Sequence, residues 1–100
     1  MRQGTTTEHT FTIPLDASEI SQARVTYTVG GRVVLRKETA DCQMEGKTVR
    51  INLTQEDTLR FPAGHWFTGQ LRALTISGDA VGSGPLREYV DPCLDGEVLR

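Results

Sequence analysis

Apolar and polar side chains alternate along much of this chain. Ala23, Val25, Tyr27 and Val29 fall on one side of an extended segment, and Arg24, Thr26 and Thr28 fall on the other. A period of two sends successive side chains to opposite faces, so this stretch of β-branched and aromatic residues predicts a half-buried strand. Gly30 and Gly31 follow, a pair suited to the positive φ of a tight turn, and Val33, Val34 and Leu35 restart the apolar run. A β-hairpin is expected near residues 22–37.

The same alternation recurs at Val49, Ile51 and Leu53, and earlier at Phe11 and Ile13, where Pro14 ends the ladder and suggests an edge strand. Further strands are expected over residues 69–76 and, past a turn at Gly78, near residues 86–90. Helix signals are brief. Thr54-Gln55-Glu56-Asp57 has the spacing of a capping box, but Pro62 stops anything beyond about two turns, so the segment reads as a crossover between sheets. Asp16-Ala17-Ser18-Glu19 is a similar, shorter signal.

Some six short strands, regularly spaced turns and no long helix point to an all-β domain, an antiparallel β-sandwich or barrel of immunoglobulin-like size. One core is expected to hold Phe11, Ile13, Val25, Tyr27, Leu35, Val49, Ile51, Leu53, Phe61 and Leu71. The 100 residues suit a single domain. Residues 1–8, with the run Thr5-Thr6-Thr7, read as a flexible end, residues 9–91 as the sandwich and residues 92–100 as a tail.

Composition narrows the function classes. A net charge of −2 with scattered Lys and Arg argues against a nucleic-acid partner. No segment has the length of a membrane span, and the first residues lack the apolar run of a signal peptide, so synthesis in the cytoplasm is expected. Cys42 and Cys93 are too few and too far apart for a disulfide scaffold or a CxxC motif, and neither they nor His9 and His65 stand at metal-ligand spacing. No cofactor is expected. Of the carboxylate pairs, Glu56 and Asp57 are explained by the first turn of a helix, and Asp91 and Asp95 sit in a Pro- and Gly-containing tail. Gly82-Ser83-Gly84-Pro85 lacks the Lys and helix of a phosphate loop and reads as a loop or bulged strand end. The chain is therefore expected not to be an enzyme.

Two surfaces stand out. Phe61 to Phe67 is the densest aromatic stretch; Trp66 and Phe67 are expected to plug the end of the core, while an exposed Trp66 beside His65 would instead offer a platform for a sugar ring. Val34 points opposite to Val33 and Leu35, and Leu74 and Ile76 opposite to Leu71 and Ala73. Left outside, Val34, Leu74 and Ile76 make an apolar patch rimmed by Arg36 and Arg72, the composition of a protein interface. A bulge, or the turn at Gly78, would restore alternation and bury them.

Thr10-Phe11-Thr12-Ile13-Pro14, the hairpin Val25-Thr26-Tyr27 with Val33-Val34-Leu35, the run from Val49 to Phe61, and Gly69-Gln70-Leu71-Arg72 resemble small prophage proteins of Gram-positive bacteria. They are also similar to the N-terminal domain of siphophage upper baseplate proteins. The resemblance spans roughly residues 9–90 and rests on structural motifs. It implies an immunoglobulin-like sandwich used as a building block of a phage tail or baseplate, with self-association or other phage structural proteins as partners and no catalytic residues to carry over. The sequence reaches residue 100 without the coiled coil or receptor-binding portion of the long baseplate proteins. A stand-alone carbohydrate-binding module is the alternative.

Overall fold

A computed structural model describes residues 1–100. The strands are β1 (Thr7–Thr12), β2 (Ile20–Val29), β3 (Arg32–Glu38), β4 (Cys42–Glu45), β5 (Thr48–Leu53), β6 (Trp66–Thr75), β7 (Ala80–Gly82) and β8 (Leu86–Tyr89), with one short helix, α1 (Gln55–Leu59). They form two antiparallel sheets packed as a sandwich. One sheet has the order β1-β5-β4; the other runs β3-β2-β6, with β7 and β8 sharing the remaining edge of β6. No helix is long and apolar enough to cross a membrane.

Alternation built these sheets as expected. All ten residues assigned to the core from their period are buried, and Ala23, Phe67, Ala73 and Val90 join them. The β2–β3 hairpin closes at Gly30 and Gly31, whose φ values of 57° and 81° are the pair that lets a two-residue turn follow the strand twist. Thr54 caps α1 reciprocally: its hydroxyl accepts from Asp57 N at 3.1 Å, and the Asp57 carboxylate accepts from Thr54 N at 2.9 Å. This turn carries the chain from β5 in one sheet to β6 in the other. Lys37 of β3 adds an ion pair to Asp57 at 2.8 Å between two largely buried side chains, tying the crossover to the larger sheet. Burial alone would raise the Asp57 carboxyl, but the hydrogen bonds from Lys37 and Thr54 hold it below the usual value.

An aromatic cluster joins the sheets. His9 from β1, Tyr27 from β2, Phe61 from the segment after α1 and Phe67 from β6 meet with ring centroids 4.9–5.9 Å apart, Phe61 standing edge to face with both Tyr27 and Phe67. Opposite Tyr27 in the ladder stands Gly69. A Cβ there would lie 2.7 and 2.8 Å from two carbons of the Tyr27 ring, so the ring occupies the space that any other residue would fill.

Several expectations need correction. Phe67 is fully buried, but Trp66, expected beside it in the core, is 54% exposed, because adjacent residues of one strand face opposite ways. The first eight residues, expected to hang free, are fastened. Asp91 N donates to Met1 O, Gln3 N donates to Asp91 O, and the Gln3 side chain donates to Phe61 O. The Met1 ammonium meets Glu88 at 3.3 Å, and the Thr58 hydroxyl donates to Thr5 O. These are mainly backbone contacts, which a polar threonine run does not announce. Strands β4 and β7, too short for a periodic signal, were not foreseen.

Gly69→Ala is expected to destabilise the fold by about 1–3 kcal/mol through overpacking against a ring with nowhere to move. Urea denaturation checks this, and an unchanged midpoint would contradict the close packing.

Candidate functional site

Strand β6 separates two files of side chains. Phe67, Gly69, Leu71, Ala73 and Thr75 face the core, and Trp66, Thr68, Gln70, Arg72 and Leu74 face outward. Pairing with β2 lays the outer file beside Gln22, Arg24, Thr26 and Thr28, and β3 continues the surface with Arg36 and Glu38. On this face Glu38, Arg24, Arg72 and Gly82 line up across four strands.

A groove lies here, lined by Arg24, Arg36 and Arg72 together with Thr26, Leu74 and Ala80. Arg24 and Arg72 are direct cross-strand partners, an arrangement that sets two cations against each other. Glu38 accepts from Arg24 Nε through both oxygens, at 2.9 and 3.1 Å, and neutralises one of them. Arg36 and Arg72 have no carboxylate partner. In a chain of net charge −2, this groove is locally basic.

At the other end of β6, Trp66 and Tyr89 are paired across the β6–β8 ladder and stack edge to face, with centroids 5.7 Å apart. The Arg87 guanidinium lies over the Trp66 ring at 5.1 Å, a cation–π contact that covers part of one ring face. His65, named with Trp66 as a candidate platform, is exposed in the turn before β6.

Of the expected patch, Arg36, Arg72 and Leu74 converge on the groove. Val34 does not. Tyr27 pairs with Leu35 and Thr28 with Val33, leaving Val34 as the extra residue of a bulge that turns it against the core and puts Val33 outside, 47% exposed. Ile76 lies beyond the end of β6, its N–H donating to Glu19 O, in a turn away from the groove. The reading of the residues missed Arg24, Arg87, Tyr89 and Val33 on this face. Arg24 was visible as an outward position, whereas the others depend on pairing register and on the bulge. Ser83-Gly84-Pro85, outside the strands, offset the register of β8 on β6 by one residue from that of β7, and the Ser83 hydroxyl accepts from Leu71 N where the ladder is interrupted.

The other candidate groups have structural partners. Glu56 lies 3.9 Å from Arg100, Asp91 lies 3.9 Å from the Met1 ammonium, and Asp95 accepts from Glu97 N. Cys42 and Cys93 are free thiols. Burial, then Asp41 and Glu38, pushes Cys42 up to about 11, so it stays a protonated thiol that donates to Glu38 O. No three His, Cys, Asp or Glu side chains gather where a metal ion would need them.

His9, which shares its parity with Phe11 and Ile13, is buried in the core. Its Nδ1 lies 2.8 Å from the Tyr27 hydroxyl, and its Nε2, without a hydrogen-bond partner, faces Glu88 at 3.8 Å. Burial raises Tyr27 far above the usual phenol value, so the hydroxyl keeps its proton and can donate it to Nδ1. Burial lowers His9 below 6.5; Glu88 opposes this and the N-terminal ammonium reinforces it. Folded His9 therefore resists a proton that the unfolded chain accepts. Stability is fully present above the unfolded value of 6.5 and declines as pH falls below it. Urea denaturation from about pH 7 down to pH 5 is expected to show this decline, and His9→Gln to flatten it, a window above the carboxylate titrations. An equal slope in both proteins would place the dependence elsewhere.

Comparison of the chain with family models, with curated proteins and with solved structures found no match.

Proposed function

We propose that this chain is a non-catalytic structural or assembly protein of a phage or prophage tail or baseplate, and that it works through protein–protein contacts made by the outer face of the five-stranded sheet. The observation that carries the contact reading is the composition of that face: Trp66, Tyr89, Leu74 and Val33 are exposed among Arg24, Arg36, Arg72 and Arg87. Tryptophan, tyrosine and arginine are the residues that dominate binding energy where proteins meet. The phage assignment rests on the sequence resemblance alone.

The finer fold proposal is an immunoglobulin-like Greek key. It is supported by a chain that changes sheet after β1, β3 and β5 and makes hairpins within each sheet between those crossings.

Exposed Trp66 also favours the carbohydrate alternative, since a sugar ring stacks on a bare aromatic face. Arg87 over the indole weighs against it. The two readings part at Arg87→Ala, which uncovers Trp66: sugar binding would gain, and a protein contact using the guanidinium would lose.

Leu74→Glu is expected to change unfolding free energy by less than about 0.5 kcal/mol, as surface substitutions do, and Trp66→Ala to cost about 1–2 kcal/mol through the lost Tyr89 and Arg87 contacts. Each is expected to cost about 2 kcal/mol or more of association, as loss of a central contact does. Sedimentation of the wild type and both variants, alone and co-purified with products of neighbouring genes, checks this. Wild-type and variant proteins that behave alike in every mixture would refute the role of the face.

A further inference from the structure

The groove and the tail are complementary in charge and in apolar surface. The groove places Arg36 and Arg72, both without acid partners, beside the side chain of Leu74, which is 40% exposed. A small inorganic anion would answer the arginines and leave Leu74 uncovered. What satisfies both is a segment with carboxylates next to leucines.

Residues 91–100 have that composition. Asp95 and Glu97 lie between Leu94, which is entirely exposed at 109%, and Leu99, exposed at 71%, while Asp91 is held by the Met1 ammonium and Arg100 faces Glu56. Past Asp91 the segment belongs to no strand. Its main chain is nevertheless held: the Gln55 side-chain amide donates to Leu99 O at 3.0 Å and accepts from Leu99 N at 2.8 Å. The two leucines therefore face solvent from a tethered backbone, and nothing within the molecule covers them. None of these residues lines the groove.

We infer that the groove between Arg24, Arg36 and Arg72 receives the acidic, leucine-bearing segment 91–100 of a second copy of this chain. The inference rests on the proposed role of the sheet face as a protein contact and names its partner. Because groove and segment are different surfaces of one molecule, the contact is heterologous: each copy offers a groove to one neighbour and a tail to another, and copies join head to tail into a ring or a chain. Carboxylates meeting Arg36 and Arg72 also screen the opposed pair Arg24 and Arg72, and Leu94 or Leu99 covers Leu74.

The test uses the full chain, a groove variant, Arg72→Glu, and a tail variant, Asp95→Lys with Glu97→Lys, each confirmed as folded by circular dichroism. Sedimentation velocity across micromolar concentrations is expected to show wild-type assemblies larger than a dimer that weaken as salt rises. Each variant alone is expected to associate at least about tenfold more weakly. An equimolar mixture of the two is expected to form a heterodimer and stop, since only one intact groove and one intact tail remain. A wild type that is monomeric throughout overturns the inference. A tail variant that assembles like the wild type while Arg72→Glu does not also overturns it, but leaves the sheet face as an interface. Association that survives both Arg72→Glu and Leu74→Glu removes the face itself, and the proposed function with it.

Discussion

The fold depends on one close fit, the ring of Tyr27 against the bare backbone of Gly69. The phenol is fully buried, it meets His9, Phe61 and Phe67, and its hydroxyl ends on His9 Nδ1. Those partners come from both sheets and from the segment after α1, so one side chain organises the contact between layers. The missing Cβ at Gly69 lets two carbons of the ring approach β6 closely. A glycine inside a strand weakens the strand locally; here it creates the space that the largest core side chain fills.

What was legible in the sequence is what period two encodes. Phe11, Val25, Ile51 and Leu71 each announce an inward position by their neighbours, and Thr54 with Asp57 announces the crossover by spacing alone. The departures share a physical cause: they depend on partners distant in sequence. Val33 and Val34 exchange faces because the Tyr27–Leu35 and Thr28–Val33 pairs differ by one residue in register. Trp66 was assigned to the core for its size, although parity with Phe67 already forced one of the two outward. Met1 to Gln3 pair with residue 91 through main-chain groups, which carry no side-chain signature. On the candidate face, Arg36, Arg72 and Leu74 were legible, but Arg24 gains meaning only when the ladder sets it opposite Arg72.

Strand β6 shows how the two demands on this chain are kept apart. Its inner file packs and its outer file presents Trp66, Gln70, Arg72 and Leu74, so residues one position apart answer to different constraints. The stability of the sandwich is carried by the inner file and the aromatic cluster, while the outer positions are free to be basic and partly apolar at little cost to folding. The opposed arginines are the exception, since like charges facing each other across a ladder are mildly destabilising even with Glu38 attending one of them.

The sheet edges explain why contact would go through a face. An open strand edge invites pairing with another chain, and here each edge is blunted. Strand β3 is bulged at Val34 and carries Arg36, Lys37 and Glu38; β1 is followed by Pro14; β4 has only four residues. The last edge is split between β7 and β8 by Ser83-Gly84-Pro85, where proline offers no N–H and the pairing register changes. With strand addition discouraged on every side, the continuous surface left for a partner is the broad outer face of β2, β3 and β6. That face is read by side chains. The proposed association through it would be specific to partners with matching charge and shape, which backbone pairing at an edge does not require.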